Sequence, residues 1–546
     1  MNEIVVDPTA TLMWPSLLQS AQRIKATTLT QLFAENPDRV ASLTFEAAGY
    51  SVDFSKNLID DTVVTQLLAL ARELGIEALR DAMFAGEIIN TSERRRVLHT
   101  ALRAPRESSL MIEGVDVVAE IQAVLDQMGR FVDQVRSGFW RGATGKVITD
   151  VVNIGIGGSH LGPLLAGEAL RRRVSAPLTV HFIANIDGAD FDTETASLNP
   201  ETTLFVVSSK SFTTAETMMN ASLAKAWIIH ALGDEAVAKH FVAVSGDRRA
   251  VASFGIDPDN TFAMWDFVGG RYSLGSAIGL STMLLIGRDA FIEMLAGFRD
   301  IDEHFTTAPL EKNVPVLFGL LRIWYSCFLG AQSLGVMPYA ADLRSLPGYL
   351  QQLVMESNGK RVTRDGKPLA TPSGPIVWGA PGTDGQHSFF QLLHQGTHLA
   401  PMDLVGYLHP LSSHRESHDQ LMANLFAQSQ ALAFGRSAEQ LIAEGTPSWL
   451  VPHRTVPGNH PSTLILGERL NPRAFGALIG LYEHDVFVQG AILGIDSFDQ
   501  WGVELGKDLA AVITDEVQGV KAIGDHDPST GRAIERYRAA RRDWAT

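Results

Sequence analysis

Two stretches of this chain combine glycines and hydroxyls in the way that holds a phosphate. The first, Asn153-Ile-Gly-Ile-Gly-Gly-Ser-His-Leu-Gly-Pro, leads from a β-branched run into glycines and then into helical sequence. Such a turn presents backbone N–H groups at a helix N-terminus, where an anion is favoured. It is not a Walker loop, because no Gly-Lys-Ser/Thr follows, and residue 160 is His where a full GxGxxG needs Gly. A plain tight strand–helix turn has the same composition. The second stretch, Val206-Val-Ser-Ser-Lys-Ser-Phe-Thr-Thr-Ala-Glu-Thr, sets five hydroxyls and one ammonium between Ser208 and Thr214. Hydroxyls donate to phosphate oxygens while carrying little charge. Helix capping explains part of this, since Thr213 and Glu216 have capping-box spacing. Two anion loops at strand carboxyl ends match the ligand crevice of an open α/β sheet.

Other residues suit proton transfer. Leu350 to Lys360 reads as a helix end stopped by Gly359, with Gln352 and Glu356 on one face. A glutamate in a last turn opposes the helix dipole, which raises its pKa and suits a general base; a solvated surface carboxylate is the alternative. His387 follows the glycines of Gly382-Thr-Asp-Gly-Gln and reads as lying at the positive end of a helix. There the neutral imidazole is favoured, and it either exchanges protons or merely packs and caps. Arg271 follows Gly269 and Gly270, whose bare backbone suits close approach by a ligand. Its permanent cation either stabilises developing negative charge or caps carbonyls. Gln500 and Lys507 are seven apart and share a helical face; locally, Ser497 with Gln500 as a capping box and Lys507 paired with Glu504 explain them equally. No HExxH or comparable spacing exists, so no metal is expected.

These residues need elements to hold them. The 546 residues suggest two to four domains at roughly 100–200 residues each. Residues 1 to about 118 read as helical: Asp60–Ala85 has apolar residues at helical spacing, Ser92 to His99 continues the style, and Val117–Val135 is amphipathic. From Lys146 the texture changes. Apolar runs at 147–154, 178–185, 203–209 and 241–245 alternate with helical sequence, which implies βαβ units and a parallel sheet. Residues from about 291 to 510 repeat the pattern with more helix, with strands expected around Val377, Leu404 and Thr463. The tail from about 511 is Arg-rich and reads as a surface helix.

Charge and composition exclude some partners. Lys and Arg total 45 against 61 Asp and Glu, a net charge of −16, which argues against nucleic acid and anionic membranes but not against a small anion. Cys327 is the single cysteine, so no intramolecular disulfide forms. The first residues carry acids where a signal peptide has Lys or Arg, and no apolar run approaches the roughly 18–20 residues of a membrane span. The expectation is a cytoplasmic protein.

Together these segments resemble the glucose-6-phosphate isomerase (phosphoglucose isomerase) family. The resemblance rests on GIGGSHLGP at 155–163, SKSFTTAET at 209–217, MWDFVGGRYSLGSAIGLS at 264–281 and QQLVMESNGK at 351–360. It continues in GPIVWGAPGTDGQHSFFQLLHQG at 374–396 and LYEHDVFVQGAILGIDSFDQWGVELGK at 481–507, with INTSERRRVLHTALR at 89–103 and LEKNVPV at 310–316. It implies an α/β fold of two sugar-isomerase-type αβα sandwiches with parallel-rich sheets, at 119–290 and 291–510. N-terminal helices at 1–118 pack on the second, and a C-terminal helical arm covers 511–546. It implies a homodimer with its active site shared between subunits, a sugar-phosphate substrate and no cofactor. The activity implied is interconversion of glucose 6-phosphate and fructose 6-phosphate.

Carried over residue by residue, Glu356 resembles the base, His387 and Lys507 the ring-opening groups, with His387 given by the partner subunit, and Arg271 the enediolate stabiliser. Ser159, Ser209, Lys210, Ser211 and Thr214, with backbone from Gly158, resemble the phosphate grip. Gln352 and Gln500 resemble sugar-contacting amides, and Glu216 a group that orients His387. Ser211 stands where the family usually has Thr, and Asp384 where Asn is usual; a carboxylate there would raise the pKa of His387. A sugar-phosphate sensor would need the loops but not Glu356, His387, Arg271 and Lys507 together. An isomerase that also accepts mannose 6-phosphate has the same motifs.

Overall fold

The computed structural model describes residues 7–173 and 178–545. It falls into two units, residues 7–497 and 498–545. The larger unit opens with helices and a hairpin, β1 (Thr44–Ala47) and β2 (Tyr50–Asp53), then a two-residue pair, β3 (Met111–Ile112) and β4 (Val115–Asp116). The long apolar pattern around residue 70 forms two helices, Asp61–Glu73 and Ile76–Phe84, broken at Gly75 with φ 66°. Asp116 caps the helix Val117–Arg136 by accepting from the N–H groups of Val118 and Ala119. The stretch from Ser92 is not helical as expected. Asn90 and Arg95 pair across a turn in which Arg94 has φ 55°, and a short 3-10 helix, His99–Arg103, follows.

The first main sheet holds β5 (Asp150–Ile154), β6 (Thr179–Ile183), β7 (Thr203–Ser208), β8 (Phe241–Val244) and β9 (Thr261–Phe262). All its pairings are parallel, in the order β6-β5-β7-β8-β9. Parallel strands are covered on both faces, which is why these segments are apolar throughout rather than alternating. Phe205, Val207, Phe241 and Ala243 pack on Ala221, Ala224 and Ile228 of the helix Ala215–Leu232.

The second sheet holds β10 (Ser333–Pro338), β11 (Ile376–Gly379), β12 (Met402–Tyr407) and β13 (Ser462–Gly467). These four are parallel, in the order β11-β10-β12-β13, which is the topology of β6-β5-β7-β8 in the first sheet. The two halves are thus alike in build, although their sequences show no visible alignment. β2 pairs antiparallel with β13 and carries β1 at the outer edge, so the N-terminal stretch supplies strands as well as helices.

The helices Arg288–Thr307 and Pro472–Leu493 cross with their backbones in contact. A Cβ at Gly297 would overlap the carbonyl of Arg473, and one at Gly476 the carbonyl of Met294. Between the two helices lies a buried ionic cluster. Arg103 binds Asp302 with Nε (2.7 Å) and Nη2 (2.8 Å) and Glu483 with Nη1 (2.7 Å). His484 joins Asp302 at 2.7 Å. Burial alone would push the Asp302 carboxyl up, but the Arg103 guanidinium holds it down at about 2.

In the smaller unit the helices Glu504–Gln518 and Pro528–Arg541 meet through arginines. Arg541 Nη1 donates to Gln518 O (3.1 Å) and Arg538 Nη1 to Lys521 O (3.5 Å). Two of the tail's arginines therefore satisfy carbonyls at and just beyond a helix C-terminus, where a cation is favoured.

Gly297→Ala is expected to lower stability by about 1–3 kcal/mol, read as a lower denaturant midpoint, because the crossing leaves no room for a methyl group. A midpoint equal to that of the parent would mean that the helices separate freely.

Candidate active site

β5 and β7 end side by side in the sheet order, where β6 lies to one side and β7 to the other of the first strand. Loops leaving such a switch point open into a crevice. After β5 the chain turns through Gly155–Gly157 into the helix Gly158–Leu170. Gly157 has φ 57° and ψ −124°, a conformation that side chains disfavour. A Cβ at Gly158 would overlap the carbonyl of Gly270. The bare backbone before Arg271 therefore seats the 155–159 loop. Buried Asn153 ties the two loops together. Its Nδ2 donates to Ser159 O (3.0 Å), and its Oδ1 accepts from Ser208 Oγ (3.2 Å).

In the second loop Ser209 Oγ and Thr214 Oγ1 share a hydrogen bond at 3.3 Å, and Ser211 and Thr213 share one at 2.7 Å. The Thr213–Glu216 capping box is not made. Thr214 is the N-cap of the helix Ala215–Leu232, with no side chain capping it. The Thr214 hydroxyl thus leaves the first-turn N–H groups uncapped. Phe212 has φ 54° and is buried against Phe254 (5.8 Å between ring centres), so packing holds a left-handed turn that a bulky residue disfavours. Lys210 Nζ donates to Asp266 O (3.2 Å) and Val268 O (3.5 Å) and meets the Asp266 carboxylate at 3.2 Å. Burial pushes this ammonium below the ordinary lysine range against the pull of Asp266, and Arg95 pushes the same way as burial.

Arg271 occupies the 3-10 turn Gly270–Tyr272 with its side chain 1% exposed. Its Nη1 meets Glu356 Oε1 at 3.1 Å. Gln352 Nε2 donates to the other carboxylate oxygen, Oε2, at 2.8 Å. A methyl group at Gly157 would sit 3.0 Å from that same Nε2, so Gln352 links the first loop to Glu356. Gln352 and Glu356 lie on a π-helical turn, Gln351–Glu356, that continues the helix Leu346–Leu350. Such wide turns recur at functional sites. Gly359 closes the helix as the sequence suggests, with its N–H on Met355 O at 2.9 Å. Arg271 also donates to Ser497 O (2.6 Å), so it caps a carbonyl and faces a carboxylate at once.

The structure thus gathers Gly158, Ser159, Ser209, Lys210, Ser211, Thr214, Arg271, Gln352 and Glu356 on adjoining loops and turns. His387 lies elsewhere. It lies in the three-residue turn between two short helices, at the C-terminal end of Gly382–Gln386 and just before the N-terminus of Phe390–Gln395. Its imidazole is exposed and makes no hydrogen bond among the described residues, and Glu216 is not bonded to it. Gln500 and Lys507 belong to the smaller unit. Lys507 pairs with Glu504 at 3.1 Å. Gln500 precedes the helix Glu504–Gln518, so the two do not share a helical face. Ser497 makes no capping box, because its Oγ donates to Asn358 Oδ1 at 2.7 Å. Asn153 and Ser357 were passed over in the sequence. The one signal was a lone polar residue inside an apolar strand; a helical serine gives none.

The profile described as Phosphoglucose isomerase matches residues 53–534. The chain belongs to the phosphoglucose isomerase family. It is 55% identical over 533 residues to a glucose-6-phosphate isomerase of Roseiflexus castenholzii, covering 97% of this chain and 98% of that one. It is 52% identical to one of Mycobacterium tuberculosis, with 98% of both chains covered. A crystal structure of a glucose-6-phosphate isomerase from Chlamydia trachomatis superposes with a TM-score of 0.85 at 32% identity, covering 97% of this chain and 99% of that one.

Gly158→Ala is expected to weaken binding of inorganic phosphate about tenfold, measured by titration calorimetry, because a methyl group there drives the 155–159 loop off Gly270. Unchanged binding would separate that loop from the anion site.

Proposed function

We propose that this chain interconverts glucose 6-phosphate and fructose 6-phosphate through an enediolate, in glycolysis and gluconeogenesis, in the cytoplasm. The observation that carries the reading is the Arg271–Glu356 pair at 3.1 Å, with Gln352 on the second carboxylate oxygen, in a chain of this family. A hydrogen next to a carbonyl is only weakly acidic, so the base needs a nearby positive charge to stabilise the enediolate as it forms. Glu356 takes the proton from sugar carbon 2 and returns it to carbon 1, while the hydroxyl proton passes from oxygen 2 to oxygen 1, or the reverse. Arg271 cannot lose its own proton at working pH, so it stabilises charge without acting as an acid.

The phosphate end is held remote from the chemistry. Ser159, Ser209, Lys210, Ser211 and Thr214 donate to it, with the backbone of Gly158. That binding energy positions the reacting carbons. Gln352 and Gln500 contact sugar hydroxyls. His387 and Lys507 open and close the ring, with Glu216 orienting His387. The exposed His387, whose imidazole is unbonded among the described residues, supports a homodimer in which it serves the partner's site.

The test is consumption of fructose 6-phosphate by purified protein with a chelator present, read as glucose 6-phosphate through a coupled dehydrogenase. Wild type is expected to turn over, and Glu356→Gln to lose on the order of 10³-fold in kcat while keeping phosphate affinity. Near-normal turnover in that variant removes Glu356 as the base. Tight sugar-phosphate binding without turnover by the wild type would make the protein a sensor. Lys210→Ala is expected to raise KM about tenfold or more with little change in kcat; a fall in kcat alone would remove Lys210 from the phosphate grip.

A further inference from the structure

Behind the Arg271–Glu356 pair lies a buried hydroxyl relay. Arg271 Nε donates to Ser357 Oγ at 2.6 Å, and Tyr272 Oη shares a hydrogen bond with the same Oγ at 2.9 Å. Ser357 is fully buried, and Tyr272 is 2% exposed. Tyr272 is packed on the ring of His99, 4.7 Å between centres, and Tyr349 Oη donates to Arg271 O at 3.3 Å. Burial pushes the Tyr272 phenol up to about 12, so it keeps its proton through neutral pH.

The three arginine nitrogens meet three different oxygens: Nε meets Ser357 Oγ, Nη1 Glu356 Oε1, and Nη2 Ser497 O. A guanidinium is planar, so contacts at all three nitrogens fix both its position and its plane. Two of the oxygens come from consecutive residues. On an α-helix, neighbouring side chains point about 100° apart, so a cation touching both must sit in the angle between them. Arg271 does so where the π-helical turn Gln351–Glu356 ends. Ser357 thereby fastens the cation to the same helix that carries the base.

We propose that Ser357, backed by Tyr272, is a positioning residue that holds the Arg271 guanidinium in the plane and place from which it faces the Glu356 carboxylate. This rests on the reading of Arg271 and Glu356 as the catalytic pair. Electrostatic stabilisation works when the charge is in place before the reaction, and a displacement of about 1 Å costs on the order of 10²-fold. The substrate is held at its phosphate by other loops, so loss of the Ser357 hydroxyl acts on turnover rather than on binding.

The experiment measures Ser357→Ala and Tyr272→Phe in two backgrounds, wild type and Arg271→Lys. In the wild-type background Ser357→Ala is expected to lower kcat roughly 10–100-fold with KM within about threefold, and Tyr272→Phe to lower kcat by less. In the Arg271→Lys background both effects shrink to within about twofold, because lysine has no Nε–H for the hydroxyl to hold. A purely structural role would give the same fold loss in both backgrounds, and that result overturns the inference, as does wild-type kcat in Ser357→Ala. If Ser357→Ala fails to fold, Tyr272→Phe carries the same comparison. The two readings fail separately. Full turnover in Glu356→Gln and Arg271→Lys overturns the catalytic pair itself. Impaired turnover in those variants beside an unaffected Ser357→Ala overturns only the positioning role.

Discussion

A guanidinium taken out of water persists only where oxygens replace the water it loses. Arg271 meets that demand with acceptors from two distant stretches, residues 356–357 and residue 497. One buried cation therefore pins the helix that carries Glu356 to the turn that ends the larger unit. The links continue outward. Ser497 bonds Asn358, which reaches Val486 O at 3.1 Å. Neighbouring Asp496 accepts from Thr91 N (2.9 Å) and Thr91 Oγ1 (2.7 Å) on the N-terminal side of the chain. Segments some 400 residues apart are thus fixed around a single charge, and the alignment of the site follows from satisfying it.

The same rule governs the core further in. Arg103 joins Asp302 and Glu483, and Arg322 joins Asp403 (2.6 Å) and Asp485 (3.4 Å), all nearly or fully buried. Pairs of this kind add little net stability over an apolar core, but breaking one leaves a bare charge. Their effect is to specify which helix faces meet. The sheets, by contrast, place loops. Each brings its first strand beside a switch of direction, and in the first sheet the glycine loop and the hydroxyl loop leave from that point.

Strands β5 to β8 were legible because burial on both faces makes them continuous apolar runs. β10 was not, since Gly335 and Pro338 interrupt it; Gly335 is there because a Cβ would run into Met402. The β1–β2 hairpin escaped for another reason. Its turn uses Ala48 and Gly49 with φ 47° and 82°, and alanine gives none of the signal that Asn-Gly or Asp-Gly would. At the site, residue types and loop positions were readable, but side-chain directions were not. Thr213 has the spacing of a cap and instead bonds Ser211. Gln500 and Lys507 have helical spacing, but the helix begins only at Glu504. Ser357 looks like any helical serine until Arg271 arrives from 86 positions away.

The antiparallel seam between β2 and β13 has a consequence for synthesis. The hairpin leaves the ribosome some 400 residues before its partner strand, Ser462–Gly467. At about 5–20 residues per second, the open side of β2 waits roughly 20–80 s for it. An unpaired strand edge is a template for other chains. The nascent chain therefore carries an unpaired strand edge throughout the synthesis of the residues between the two strands, and chaperone protection would act there.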